Sequence, residues 1–170
     1  MGRQELDPID QAVIEDANVL DRDMSYMEFP LPAHKGHPGL NDLWHYSVRL
    51  YLQRSVEGFM PYDGRQRCQD LLNRGIAALQ TLWSASINDG TMAMFVLPLF
   101  ILGVAADHVV HRHEVVLAFD QLQRFHRSGG VGQARVIVGE VWTLMDSGKA
   151  DGAWNWEALI VKKGWDLVLI

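Results

Sequence analysis

The segment Pro98-Leu-Phe-Ile-Leu-Gly-Val-Ala-Ala106 decides how this chain folds. It ends an apolar run over residues 92–106 that follows Asn88-Asp89-Gly90 and stops at Asp107. A membrane-spanning helix needs about 20 apolar residues, so the shorter run predicts a buried helix instead. Because the run is apolar on every face, we expect other helices to surround it. We also expect Pro98 to kink it, since proline removes one hydrogen bond of the helix.

The remainder of the chain carries the periodicity of amphipathic helices, and no long run alternates with the period of two that is typical of strands. Helices are predicted over about residues 9–20, 42–57, 68–83, 108–125, 134–145 and 155–163. Asn155 and Gly164 have the residue types that cap and end the last helix. Prolines and glycines predict a linker from residue 21 to 39, and Ser128 to Gly132 predicts a flexible connection. The sequence therefore predicts an all-α fold, a bundle of about six to seven helices around a central, proline-kinked helix.

Composition limits the classes of function. A chain of 170 residues with 48% hydrophobic residues is large enough to bury one core. Its net charge of -6, from 15 Lys and Arg against 21 Asp and Glu, argues against direct nucleic-acid binding. Cys68 is the only cysteine, which excludes a disulfide framework and a cysteine zinc cluster within one chain and indicates an intracellular protein. The first thirty residues have no apolar core of a secretory signal.

Aromatic and methionine residues around the central helix are candidates to line a groove for a hydrophobic small molecule. The chain has six Trp and seven Met, many for its length. The candidate lining residues are Trp44, Tyr46, Trp83, Met92, Met94, Phe95 and Trp142. The alternative interpretation is that these side chains only fill the core, as large aromatics and methionine commonly do.

A polar cluster follows the central helix in the segment Asp107-His108-x-x-His111-Arg112-His113-Glu114. At 100° per residue, His108 and His111 fall on the face that also carries Val115, so we expect both imidazoles to point toward the core. A carboxylate beside a histidine is typical of general acid–base chemistry. A metal site needs a third ligand, which no spacing here provides, so we predict neither a metal nor a cofactor. Acid–base, metal-binding and purely structural roles remain as alternatives.

Several blocks in a fixed order resemble one known family. The blocks are Tyr51-Leu-Gln-Arg54, the Pro98 to Gly103 segment, Arg112, the Trp142 to Gly148 segment, and the pair Trp156 and Trp165. Over residues 40–170 they are similar to the C-terminal half of the fungal-specific transcription factor domain, the helical regulatory region of binuclear zinc cluster regulators. The zinc cluster is absent from this sequence, and residues 1–39 match nothing in the pattern. We therefore divide the chain into an N-terminal helix with its linker, 1–39, and a helical domain, 40–170.

The resemblance implies a regulatory or interaction module that does not bind DNA itself, associates with its own copies and, in some relatives, holds an apolar small molecule. Such a module would be nuclear. The chain is then either part of a longer regulator or a free-standing relative that has lost the DNA-binding role. The alternative is a cytoplasmic enzyme of fungal specialised metabolism, in which Asp107, His108 or His111 transfers protons to a hydrophobic intermediate. A membrane is expected in neither case.

Overall fold

Seven α-helices and no strand make up the part of the chain that the computed structural model describes, residues 8–26, 39–56, 63–84, 94–125, 129–148 and 155–166. The helices are α1 (Pro8–Tyr26), α2 (Leu40–Val56), α3 (Asp63–Ser84), α4 (Val96–Ala105), α5 (Val109–Phe125), α6 (Gly129–Asp146) and α7 (Trp156–Lys163). The predicted all-α class is confirmed. Within those residues, every helix is too short or too polar to cross a membrane.

Helix α4 lies at the centre of the bundle, as the sequence predicts. It packs against α2, α3, α5 and α6, while α1 packs on α2 and α7 packs on α6. Nine of the ten residues of α4 are buried, and only Leu97 is partly exposed. A helix that is apolar on all sides gains most when it is enclosed on all sides, which explains its central position.

Pro98 lies in the first turn of α4 and not inside the helix, where the sequence placed it. Helix α4 begins at Val96, after a single 3₁₀ turn at residues 94–95, so Pro98 is its third residue. The N–H groups of a first helical turn have no acceptor within the helix, so proline removes no helical hydrogen bond there. The helix is therefore shorter than the predicted run, whose residues 92 and 93 lie outside the described ranges.

Gly103 sets how closely α5 and α6 approach α4. A Cβ atom at this position would lie 2.9 Å from Cγ2 of Val138 on α6 and 3.2 Å from Cγ1 of Val115 on α5. Both valines are fully or almost fully buried. The missing side chain thus allows three helices to meet at the C-terminal end of α4.

Helix α1 continues through the start of the predicted linker, so the predicted break at residue 21 is wrong. The buried carboxylate of Asp21 accepts two hydrogen bonds from Arg49 on α2, with Nε–Oδ1 at 2.7 Å and Nη2–Oδ2 at 3.1 Å. Met24, one turn later, is also buried. These contacts with a distant segment extend the helix to Tyr26. The predicted linker residues 27–38 lie outside the described part of the chain.

The predicted flexible connection before α6 is also wrong from Gly129 onward, because α6 begins there. Val131 is fully buried, and Arg135 pairs with Asp120 and Gln123 of α5. Packing between the two helices therefore outweighs the low helix propensity of glycine. Ser128 is outside the described residues.

The remaining comparison between prediction and structure concerns the buried face of α5 and the ends of α7. Val115, Ala118, Phe119 and Leu122 are buried as predicted, but Phe125 is 60% exposed. At 100° per residue it lies about 70° from the centre of the buried face. The caps of α7 are confirmed: Asn155 Oδ1 accepts the Ala158 N–H at 3.2 Å, and Gly164 ends the helix with φ of 63°.

Candidate functional site

The N-terminal end of α4 brings together the aromatic residues of three segments. The rings of Trp83, in the last turn of α3, and Phe95 meet edge to face with centroids 5.9 Å apart. Phe95 is 1% exposed, whereas Trp83 and the neighbouring Met94 are half-buried. Trp83 and Phe95 therefore lie together between the end of α3 and the start of α4, and Met94 is next to Phe95 along the chain.

Helix α2 supplies Trp44 to the same end of the bundle. The hydroxyl of Ser47 donates to the carbonyl of Leu43 at 2.7 Å and approaches the carbonyl of Pro98, in the first turn of α4, at 3.4 Å. Trp44 precedes Ser47 by one turn and is half-buried against the core. The segment of α2 around Ser47 thus lies against the first turn of α4, and Trp44 precedes this contact by one turn of α2.

Both indole N–H groups at this end lack an acceptor. The Nε1 atoms of Trp44 and Trp83 are buried and have no hydrogen-bond partner. Helix α4 also starts at Phe95 without a side-chain cap. An unsatisfied buried donor costs about 1–3 kcal/mol, because it has lost water and gained nothing in return. The N-terminal end of α4 therefore holds unused hydrogen-bonding capacity inside an apolar surrounding.

Trp142 lies at the opposite end of α4. Its Nε1 donates to the carbonyl of Gly103 at 2.8 Å, and the guanidinium carbon of Arg112 lies 5.4 Å from its ring centroid. Gly103 follows Phe95 by eight residues, or about 12 Å along the helix axis. The structure thus separates Trp142 from the other aromatic candidates.

Tyr46 is also apart from Trp83. The guanidinium carbon of Arg74 on α3 lies 6.0 Å from the Tyr46 ring centroid, and the ring of His45 meets its edge at 5.4 Å. Arg74 precedes Trp83 by nine residues, or about 13 Å along α3. Tyr46 therefore packs beside the middle of α3, away from the N-terminal end of α4.

The histidine cluster differs from its predicted orientation. His108 is exposed, and its Nδ1 accepts the N–H of Val110 at 3.3 Å. Because α5 begins at Val109, His108 is the residue before the helix, and its ring caps the first turn instead of pointing toward the core. The prediction that both imidazoles face the core is wrong for His108.

His111 is half-buried, with its ring centroid 6.0 Å from that of His108 and its Nδ1 buried without a partner. Asp107 is exposed. Among the described residues, no group of three or more His, Cys, Asp or Glu side chains is arranged to hold a metal ion. The geometry therefore shows two neighbouring imidazoles at the surface end of α5 rather than an enclosed acid–base site.

Arg112 is the residue of this segment whose contacts were not predicted. Its Nε donates to the carbonyl of Ala106 at 3.1 Å and its Nη1 to Oδ2 of Asp146 at 2.8 Å. The hydrogen bond from Arg112 lowers the pKa of the Asp146 carboxyl; slight desolvation opposes this effect and the charge of Arg112 adds to it. The sequence offered one signal, an arginine at the start of a helix, but Asp146 is far away along the chain. Arg112 joins α5 to the ends of α4 and α6.

A small cavity lies between α2, α3 and the C-terminal end of α4. Its lining includes Arg54, Arg65, Cys68 and Asp107, and its volume is about 40 Å³. A water molecule needs roughly 10–15 Å³ on this measure, whereas drug-sized ligands occupy roughly 300–1,000 Å³ pockets. The cavity therefore has the size of a water site, and Asp107 is the predicted catalytic residue that borders it.

Comparison with known proteins agrees with the helical architecture. A model of the fungal-specific transcription factor domain matches residues 6–170, nearly the whole chain. No curated protein and no solved structure matches it. The match covers the central helix, both of its ends and the helices around them. The chain belongs to the fungal-specific transcription factor domain family.

Proposed function

We propose that the chain is a regulatory module without direct DNA contact, and that it binds a hydrophobic small molecule at the N-terminal end of α4. The observation that carries the binding site is the contact of half-buried Trp83 with Phe95 at that end. Half-buried Met94 is next to Phe95 along the chain, and half-buried Trp44 lies one turn before Ser47, which approaches Pro98. Ligand sites combine such apolar and aromatic walls with a few polar groups. The family supports the regulatory part of the proposal.

Two methionines allow a matched test of the binding site. Met94 lies at the N-terminal end of α4, and Met145, also half-buried, contacts Arg112 near the C-terminal end. Methionine to glutamine keeps the length of the side chain but adds polar atoms that disfavour an apolar ligand. With N-phenyl-1-naphthylamine as a neutral fluorescent probe, we expect Met94→Gln to weaken binding at least about tenfold, the effect of losing roughly 1.4 kcal/mol. Met145→Gln should leave the probe affinity within twofold. Equal effects of the two changes, or no saturable binding by the parent chain, would contradict the site.

Regulation requires a partner or an effector rather than DNA itself. The net charge of -6 repels phosphate backbones, so fluorescence anisotropy with duplex DNA should give no binding at 150 mM salt. The proposed location is the nucleus, and the proposed quaternary state is a homo-oligomer. Light scattering across a hundredfold range of protein concentration tests the oligomer, and a purely monomeric particle throughout would reject it.

An enzyme that uses Asp107, His108 or His111 is the second candidate. The proximity of the two imidazoles favours it, but His108 already accepts a backbone hydrogen bond and Asp107 is exposed. If His108 acted as the catalytic base, it would leave the Val110 N–H without its cap when it turned toward a substrate. If the enzyme proposal holds, His108→Ala and His111→Ala should each abolish turnover of a candidate substrate while the circular dichroism spectrum stays helical. Turnover by both variants would remove these residues from any mechanism.

A further inference from the structure

Helix α1 is a peripheral helix of the bundle and packs chiefly on α2. We propose that α1 exchanges between two copies of the chain, so that α1 of each copy docks on α2 of the other. This inference rests on the proposed homo-oligomeric state, because it names the surface through which the copies associate.

Few buried side chains hold α1 in place. Among those of its side chains whose exposure the structure describes, Ala17, Asp21 and Met24 are the buried ones. Alanine buries little apolar area and aspartate is polar, so Met24 supplies most of the hydrophobic attachment. In α4, by contrast, nine of ten residues are buried. Helix α1 therefore detaches from the bundle at a much lower cost than the central helix.

Directed polar contacts determine where α1 docks. The Asp21 carboxylate accepts hydrogen bonds from Arg49 Nε at 2.7 Å and from Nη2 at 3.1 Å, and the side chains of Arg49 and Asp21 are only 17% and 9% exposed. One turn before Asp21, the Oδ1 atom of Asn18 accepts a hydrogen bond from Nη1 of Arg67 on α3 at 3.1 Å. A second copy carries the same α1 and the same arginines. Exchange therefore restores each of these contacts and requires no new complementary surface.

The connection between α1 and α2 is long enough to reach a second copy. Thirteen residues, 27–39, separate Tyr26 from Leu40. A chain of this length spans up to about 45 Å when extended, whereas α1 itself is about 29 Å long. Exchange therefore requires no change in helices α2 to α7.

A partly exposed apolar flank of α1 favours the association of two copies. At 100° per residue, Val13 and Leu20 lie about 40–60° from Ala17, on the side of the helix that also carries Met24. They are 43% and 50% exposed. In the exchanged dimer α1 lies at the junction of two copies, where this flank gains cover that a single chain does not provide. Val19 is 42% exposed but lies about 160° from Ala17, on the outward side.

Reversing the ion pair in two separate chains tests the exchange. In Asp21→Arg and in Arg49→Asp, α1 meets a like charge on its own α2, so each variant alone should be monomeric. When the two variants are mixed, exchange brings opposite charges together at both contacts. We expect native mass spectrometry to show a heterodimer at least about a hundredfold tighter than either homodimer, because a buried ion pair is restored twice. The double variant Asp21→Arg/Arg49→Asp restores the attraction within one chain and should dimerise as the parent does.

The apolar flank offers a matched pair of variants. Leu20→Gln should weaken the parent dimer at least about tenfold, because it removes apolar area from both halves of the junction. Val19→Gln should leave the dissociation constant of the dimer within about threefold. Equal effects of the two changes would mean that α1 does not lie at the junction of two copies, and the inference would be overturned.

The outcomes separate the exchange from self-association itself. A parent chain that is monomeric at every concentration would overturn the homo-oligomer and the inference with it. If each charge variant dimerised alone and mixing added nothing, the exchange would be overturned, and the homo-oligomer would form through another surface.

Conservative variants keep the test decisive if the charge reversals prevent folding. Asn18→Asp/Arg67→Lys retains the exposed contact between α1 and α3 and makes it reactive toward a carbodiimide, which joins a carboxylate directly to an amine. When ¹⁴N and ¹⁵N chains are refolded together, a cross-link from position 18 to position 67 that joins the two isotopes supports exchange. If every such cross-link carries a single isotope, α1 stays on its own chain and the inference is overturned.

Discussion

The two ends of helix α4 are built differently. At the C-terminal end, the Trp142 indole donates to the carbonyl of Gly103 and Arg112 donates to the carbonyl of Ala106 and to Asp146. At the N-terminal end, the indoles of Trp44 and Trp83 are buried without acceptors. We call the C-terminal end the closed end, because side chains donate to its backbone carbonyls, and the N-terminal end the open end, because two buried indole donors there have no acceptor. The distinction concerns these groups only, since His111 near the closed end also has a buried Nδ1 without a partner.

The difference has a thermodynamic consequence. Paired groups at the closed end contribute to stability in the isolated chain. Unpaired donors at the open end reduce stability until something pairs with them, and a ligand that binds only the folded chain then stabilises it by mass action. The closed end is therefore a structural joint, and the open end is where an effector would act on the fold.

The largest effect is expected from breaking the closed end at Gly103. A methyl group there would meet Val138 Cγ2 at 2.9 Å and Cγ1 at 3.1 Å. Valine is stiff and cannot turn away, so Gly103→Ala should lower the free energy of unfolding by about 1–3 kcal/mol, the usual range for overpacking. Urea unfolding followed by circular dichroism measures the change.

Gly139, on α6, is the matched control for that substitution. It is helical as well, but an added Cβ would have no atom within 4 Å outside its own helix. Gly139→Ala should raise the free energy of unfolding by about 0.5–1 kcal/mol through helix propensity alone. If the two alanine variants were equally stable, the close approach at Gly103 would not be a constraint on the fold.

A smaller effect is expected when one indole at each end of α4 is replaced by phenylalanine. Trp142→Phe removes a donor that is paired and leaves the Gly103 carbonyl with the Ala106 N–H alone, so we expect it to be less stable than Trp83→Phe by about 1 kcal/mol. Both substitutions reduce ring volume in the same way, so the difference between them reports the polar contacts of Trp142, namely its hydrogen bond and the Arg112 guanidinium near its ring. Thermal unfolding of the two variants checks it. If Trp83→Phe lost as much stability as Trp142→Phe, the Trp83 indole N–H would have to make a stabilising hydrogen bond in the folded chain, and the proposed difference between the two ends would be wrong.

The sequence predicted the central helices of the fold better than the contacts that fix where the helices end. The aliphatic α4 and the buried face of α3 follow from local patterns, since residues such as Leu72 and Leu79 recur at helical spacing and are buried. The C-terminal end of α1 does not follow from a local pattern. Asp21 is held there by Arg49, a partner 28 residues away that periodicity cannot reveal. Tertiary contacts of this kind decide helix ends more often than propensity does.

The candidate site was predicted as a set of residue types and not as a place. Trp83 and Phe95 meet at one end of α4, with Met94 next to Phe95 along the chain, but Trp142 belongs to the other end. Nothing in the sequence distinguishes them, because which end an aromatic residue reaches depends on how its helix crosses α4. The predicted orientation of His108 was wrong for a local reason. Helix α5 begins at Val109 and not at residue 108, so His108 caps the helix instead of lying within it.

The smallest expected effect concerns pH and the closed end alone. The hydrogen bond from Arg112 lowers the pKa of Asp146 in the folded chain relative to the unfolded chain. A carboxyl with a lowered folded-state pKa stabilises the fold above its unfolded-state pKa, and the contribution is lost as the pH falls through the folded-state value. The loss therefore begins below about pH 4, the ordinary value for aspartate.

Asp146→Asn tests this directly, because asparagine keeps the shape of the side chain and removes its charge. We expect the variant to be slightly less stable than the parent at pH 6 and the difference to shrink at pH 3. The effect is small because the Asp146 side chain is 64% exposed and water screens its charge. Urea titrations of both proteins at the two pH values measure the difference. A gap that stayed constant with pH would mean that the ionisation of Asp146 does not stabilise the fold, and the closed end would then depend on the hydrogen bonds to the Gly103 and Ala106 carbonyls.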